Sequence, residues 1–249
     1  MLGRLRLVAA VLALPVSVLA AEGGAAGPGN PPALAKGDRI VFLGDSITAG
    51  GGGPKGYITL VKNTLAEKCK DLGIEAINAG ISGHKVPDLQ KRLERDVLAK
   101  KPTIVVIYIG INDVWHWRKQ ADGTMAGGTP KDQYEEGLKD LIGKIKAAGA
   151  RVILCTPSVI GEKAAGTNDR DAMLDEYADI SRKVAADTGV QLNDLRKAFV
   201  AYEKEHNPEN KPRGVLTTDG VHLNAAGNEF VATQMLQALG IQAEPAAAK

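Results

Sequence analysis

Four short stretches carry the residue types and spacings that can do chemistry. In 39–48, RIVFLGDSIT, an apolar run from Ile40 to Leu43 stops at Gly44-Asp45-Ser46. A serine presented where a buried strand ends is a candidate nucleophile, and it needs a base, an orienter for that base and donors for an oxyanion. The chain has four histidines: His84, His116, His206 and His222. His222 lies in Thr218-Asp219-Gly220-Val221-His222. Asp219, three residues ahead, can reach the imidazole within a tight turn, so this one loop can supply base and orienter. The same pair also reads as a turn-capping aspartate beside a surface histidine. Asn112, in Gly110-Ile111-Asn112-Asp113, has an amide that can donate to an oxyanion. Gly83, in Ile81-Ser82-Gly83-His84, can offer its N–H with no side chain in the way, and the N–H of Ser46 is a third donor. Glycine and asparagine are also ordinary turn residues.

Other chemistries that a strand followed by glycine suggests do not fit. No Gly-Lys-Ser/Thr opens the helix after Ser46, as a phosphate-binding loop requires, and no GxGxxG directly follows an expected strand. G-x-S-x-G occurs nowhere, so Ser46 is not on the sharp elbow of α/β-hydrolases.

The elements that must position these residues follow from hydrophobic periodicity. Strands are expected over 39–43, 74–79, 103–109, 151–156 and 190–193. Helices are expected over 57–72, 86–99, 134–148, 171–188, 195–205 and 225–239, with Gly73 and Gly240 as C-terminal stops. Loops are expected over 50–54, 114–130 and 157–170. Strands that alternate with helices, three of them near-continuous apolar runs, make a parallel sheet covered on both faces. Ligands bind such sheets beyond the C-terminal strand ends. Ser46, Gly83 and Asn112 each follow a strand and therefore meet at one edge.

The order GDS, S-G, G-x-N-D and a C-terminal D-x-x-H resembles the SGNH (GDSL) hydrolase family, over essentially all of 39–239. The first block reads GDSIT rather than GDSL, a difference behind the nucleophile that leaves the catalytic set intact. The resemblance implies a flavodoxin-like three-layer α/β/α sandwich around a five-stranded parallel sheet. It also implies two-step acyl transfer: Ser46 as nucleophile, His222 as general base, Asp219 as its orienter, and Gly83, Asn112 and the Ser46 N–H as the oxyanion hole. No cofactor and no metal enter that chemistry. Asp45 and Asp113 are local hydrogen-bonding groups, with Asp45 also a candidate for contact with substrate.

Substrate would lie along the same edge. Both tryptophans fall in Val114-Trp115-His116-Trp117-Arg118. Trp115, His116 and Trp117, with His84, are candidate substrate-binding residues, able to stack on a sugar or line an acyl slot, and equally able to cover the core edge. The expected loops are polar and aromatic residues make up 4% of the chain, which leaves little for a large apolar lid. That favours a small acyl group on a polar alcohol, such as an acetylated sugar. Lysophospholipase, arylesterase and thioesterase activities remain the alternative readings, and a non-catalytic carbohydrate-binding protein is disfavoured because all four blocks are intact.

The 249 residues, 44% hydrophobic and 24% charged, suit one α/β domain, expected over 37–241. Residues 1–21 read as a cleavable signal peptide: Arg4 and Arg6, an apolar run from Leu7 to Leu14, then Pro15 and the small residues Val18 and Ala20. The uncharged run is shorter than the roughly 20 residues a membrane span takes, so stable insertion is not expected and the protein is expected to be secreted or periplasmic. The 22–36 segment, rich in Gly, Ala and Pro, reads as a flexible tether, and 242–249 as a flexible tail. Without 1–20 the chain has equal numbers of basic and acidic residues, 29 of each, which gives no footprint for nucleic acid. Cys69 and Cys155 read as buried free thiols, with oxidation in an exported protein the alternative. The partner expected is a small-molecule or glycan ester, and the oligomeric state is not legible.

Overall fold

A computed structural model describes residues 33–241. The signal-peptide and tail segments, and all but the last residues of the tether, lie outside the described residues. Five parallel strands form the central sheet: β1 (Arg39–Gly44), β2 (Glu75–Gly80), β3 (Ile104–Tyr108), β6 (Arg151–Cys155) and β7 (Gln191–Asn193). Their order is β2-β1-β3-β6-β7. The chain steps from β1 outward to β2, then returns past β1 to β3 and continues the other way. The order reverses at β1, so the crevice for a ligand opens beyond the C-terminal ends of β1 and β3.

Helices cover both faces, giving the three-layer sandwich. On one side α2 (Tyr57–Lys68) packs against α8 (Ala225–Ala238), which meets α7 (Leu195–His206) through the Phe199–Phe230 ring contact at 5.1 Å. On the other, α3 (Val86–Asp96) packs on α5 (Lys131–Ala147), and α5 on α6 (Asp171–Thr188). β1 beyond Arg39 and all of β3 are fully buried, as strands with both faces covered must be. The edge strand β2 is partly exposed, and its sequence mixes Glu75 and Asn78 among apolar residues accordingly.

Several elements depart from the expectation. Ser46–Gly50 is a five-residue helix, α1, and Ile111–Trp115 is another, α4. The expected loop over 114–130 contains a two-residue antiparallel ladder, β4 (Arg118–Lys119) with β5 (Met125–Ala126). Both helices are shorter than two turns and carry no readable period. The helix expected over 57–72 ends at Lys68, and a 3₁₀ turn over Lys70–Leu72 completes it before Gly73 (φ +60). Cys155 is buried, whereas Cys69 is only half-buried, a correction to its expected burial; neither is in a disulfide. No described helix is long and apolar enough to cross a membrane.

Candidate active site

The position of Ser46 is set by two glycines. Gly44 and Gly80 are register partners at the ends of β1 and β2. A Cβ on Gly80 would fall 2.1 Å from the backbone N of Ala49, and one on Gly44 would fall 2.4 Å from the Tyr108 carbonyl. Only glycine lets α1 sit this close over the strand ends. Asp45 starts the helix: it is 2% exposed and its carboxylate accepts from the Ile47 N–H at 2.9 Å. Ser46 is then the first helical residue, where backbone N–H groups have no partner inside the helix. At the far side of α1, Thr48 accepts from the buried Tyr57 hydroxyl at 3.1 Å.

Ser46 Oγ lies 2.9 Å from His222 Nε2, and His222 Nδ1 lies 2.7 Å from Asp219 Oδ2. These contacts make a continuous serine–histidine–aspartate chain, with the imidazole tautomer set by the carboxylate. The other carboxylate oxygen of Asp219 accepts from the N–H groups of Val221 (2.9 Å) and His222 (2.8 Å). Partial burial works to raise the Asp219 carboxyl, but the hydrogen bonds from His222 and Val221 outweigh it and hold it below its ordinary value. Asp219 therefore stays ionised while it orients the ring.

Asn112 is 3% exposed in the first turn of α4, which Gly110 enters at φ +121, a conformation that favours glycine. Its amide donates to the His84 carbonyl at 3.0 Å, tying it to the residue after Gly83. Gly83 has φ +79, in the left-handed region. The structure thus brings the segments bearing Ser46, Gly83 and Asn112 to one edge, as the strand order requires.

Other candidates fall elsewhere. Asp45 is buried as a cap, which corrects its reading as a substrate contact. Burial raises its carboxyl to about 7, with the charge of Asp113 adding to the rise. His84 supports the oxyanion segment: its Nδ1 accepts from Arg92 Nε at 3.0 Å, and burial and the Arg92 charge hold its pKa down, in keeping with a neutral acceptor. His116 is half-buried beside Trp115, with its ring 6.4 Å away. Trp117 turns from the site. Its ring packs on Gly128, its indole N–H faces the Tyr177 hydroxyl at 3.4 Å, and it lines a separate depression with Met173 and Tyr177. Trp115 is the tryptophan that meets the triad, edge to face with His222 at 6.2 Å. A cleft of about 470 Å³ extends from Trp115 and Asp219 to Arg118, Lys163 and Arg170.

Two supports lacked any sequence signal. Arg92, 4% exposed, donates to the carbonyls of Gly44 and Ala79, both at 2.8 Å, and so clamps the ends of β1 and β2. Glu162, fully buried, accepts from three consecutive N–H groups: Val215 at 2.7 Å and Leu216 and Thr217 at 2.6 Å. It anchors the loop leading to Asp219 and His222. Both are charged residues in loop or helix sequence that composition assigns to solvent.

The sequence profile of the GDSL-like Lipase/Acylhydrolase family matches residues 42–230. The crystal structure of an acetyl xylan esterase, AlAXEase, superposes with a TM-score of 0.74 at 46% identity, covering 81% of this chain and 99% of that one. An acetylxylan esterase of Geobacillus stearothermophilus is 32% identical over 84% of this chain and 97% of its own length. Structures of its catalytic mutants, with a serine, an aspartate and a histidine replaced in turn, match with TM-scores of 0.72–0.73. Its aspartate and histidine are three positions apart, the spacing of Asp219 and His222 here. An isoamyl acetate-hydrolyzing esterase 1 homolog of Rattus norvegicus is 27% identical over 78% of each chain.

Proposed function

This chain belongs to the GDSL-like lipase/acylhydrolase family and is a carboxylic ester hydrolase, and we propose that it removes acetyl groups from carbohydrate esters through an acyl-enzyme on Ser46. The unbroken hydrogen-bond chain from Ser46 Oγ through His222 to Asp219 carries the mechanistic part of this reading. His222 takes the serine proton as Ser46 attacks the ester carbonyl, and Asp219 stabilises the imidazolium. The tetrahedral oxyanion is met by the N–H groups of Ser46 and Gly83 and the amide of Asn112. The imidazolium then protonates the leaving sugar hydroxyl. A water, deprotonated by His222, releases acetate and frees Ser46.

Two observations support acetyl over longer acyl groups and sugar over lipid. Relatives named for acetylxylan and for isoamyl acetate share the acetyl group. The cleft beside the triad is also polar, with Trp115 as its aromatic wall. The reading of residues 1–21 as a signal peptide supports export of the enzyme. Acetate release from p-nitrophenyl acetate and from acetylated xylo-oligosaccharides tests the proposal. Ser46→Ala abolishes turnover of both, and Asn112→Ala lowers kcat by about 10²–10³. Full activity of Ser46→Ala would refute the acyl-enzyme.

A further inference from the structure

The wall of the cleft opposite the triad carries charge that the ester chemistry does not use. Arg118 donates from Nη1 to the carbonyl of Trp117 at 3.0 Å, and also to that of Trp115. Arg170 donates from Nη2 to the same Trp117 carbonyl at 2.8 Å. Two guanidinium groups are therefore held within two hydrogen-bond lengths of each other, on one acceptor. Lys163, exposed, adds a third cation to the same cleft. Among the described residues none of the three forms an ion pair with a carboxylate, although ion pairs occupy many other cations of this protein. Asp169 also lines the cleft and leaves the cations unpaired. Like charges pinned together without a counter-ion repel, and a bound anion relieves that repulsion. Because both arginines are anchored to backbone carbonyls, little side-chain freedom is lost when an anion arrives.

We propose that this arginine–lysine wall is a subsite for the carboxylate of an acidic sugar, so that the preferred substrate is an acetylated glycan carrying a uronic acid near the acetylated residue. The inference rests on the carbohydrate-acetylesterase reading and extends it. The cleft runs from Trp115 and Asp219, both in contact with His222, to the three cations, and this is the path that a sugar linked to the acetylated one would take while the ester sits at Ser46. Arg presents a planar fork that takes a carboxylate through two bonds. The apolar surface needed for a lipid tail is not part of this wall, which favours a saccharide over a phospholipid as the source of the anion.

The test compares acetate release from acetylated xylo-oligosaccharides bearing a glucuronic acid branch with release from the same oligosaccharides after that acid is reduced to glucose. The readout is the ratio of kcat/KM on the acidic to the neutral substrate. The parent enzyme gives a ratio well above one, and it collapses toward one at about 1 M salt, where charges are screened beyond roughly 3 Å. Arg118→Gln and Lys163→Gln each lower the ratio about two- to fivefold, the range for partly exposed charge pairs. Among the described residues Lys163 makes no hydrogen bond through its side chain, so its variant keeps the test valid if Arg118→Gln does not fold. Asp169→Asn removes the opposing charge and raises the ratio. A parent ratio of one or less, or a ratio unmoved by Lys163→Gln and Asp169→Asn, overturns the subsite and leaves the acetylesterase reading standing. Preference for a lysophospholipid over both oligosaccharides reassigns the wall to phosphate and overturns it too. If neither oligosaccharide loses acetate while p-nitrophenyl acetate is hydrolysed, the carbohydrate reading itself fails, and the inference with it.

Discussion

At the scale of single residues, Ser46 stands beside a carboxyl that is out of place as a charge. Asp45 is buried under Ser46, with Asp113, also buried and pushed up to about 6, as its nearest like-charged neighbour. Asp45 titrates near 7 in the folded state and near 3.8 otherwise. Between those values the folded protein holds a proton that the unfolded chain has lost. Stability therefore falls as pH rises from about 4 to 7, and the burden of the desolvated carboxylate is complete above 7. Asparagine caps a helix as well as aspartate and carries no charge. Asp45→Asn is thus expected to melt near the parent's temperature at pH 4 and a few degrees above it at pH 8, measured by calorimetry at both pH values. An unchanged difference between the two pH values would exclude a buried ionised Asp45. The sequence reading of Asp45 as a local hydrogen-bonding group holds, in its bond from the Ile47 N–H, whereas its second reading as a substrate contact came from adjoining Ser46 and does not. Adjacency along the chain also misleads for Trp115 and Trp117. Two positions apart at the end of a short helix, their side chains diverge, one to His222 and the other to Tyr177. The spacing of Asp219 and His222 put them within reach in one turn, and it was their place after GDS, S-G and G-x-N-D that singled them out.

At the scale of elements, His222 is only as well placed as the loop that carries it. The 214–224 segment has little regular structure of its own. It is held by Glu162, by the Gly161 N–H on the Gly220 carbonyl at 2.8 Å, and by Asn224, whose side chain caps α8 through the Gly227 N–H at 2.8 Å. Three N–H groups on one buried carboxylate are worth more than neutral bonds, about 1.5–3 kcal/mol each. In Glu162→Gln one carboxylate oxygen becomes an NH₂ facing a backbone N–H, so at least one bond becomes a clash between donors. The expected result is a fall in kcat of about ten- to a hundredfold with KM little changed, because His222 is misplaced while the cleft wall remains. Amide hydrogen exchange at 215–222 should speed up in the same variant, and unaltered exchange would mean that another group holds the loop. Sequence patterning identified the six long helices and all five sheet strands because each repeats a period over several residues. It missed α1 and α4, which are helical because Asp45 caps one and Gly110 turns into the other. Glu162 was missed because its partners lie more than fifty residues away.

At the scale of the molecule, the strand order gathers Ser46, Gly83 and Asn112 at one edge, and the described residues expose little apolar surface there. Among the described residues the large hydrophobic side chains left exposed are Ile81, at 37%, and Met125, at 46%. Ile81 adjoins the oxyanion loop, while Met125 lies on the β4–β5 ladder beside the Trp117 depression, so they do not form one patch. A lipase-like acyl slot must bury methylenes, each worth about 0.8 kcal/mol, or roughly a fourfold gain in kcat/KM per CH₂. Six additional carbons, the step from acetate to octanoate, would then favour the longer ester by more than a thousandfold in a slot of full length. The cleft here offers Trp115, Ile160, Pro212 and Val221 amid charged side chains, and no continuous apolar channel. Along p-nitrophenyl acetate, butyrate and octanoate, kcat/KM is accordingly expected to fall, with no jump in rate when the longest ester passes its micelle-forming concentration. A rise toward octanoate would require an apolar channel that opens only with substrate and would return the enzyme to lipid esters. A fall, in Trp115→Ala as well as in the parent, would show that the acyl end is closed by the strand edge itself and leave Trp115 to the alcohol side, where it stands between His222 and the cationic wall.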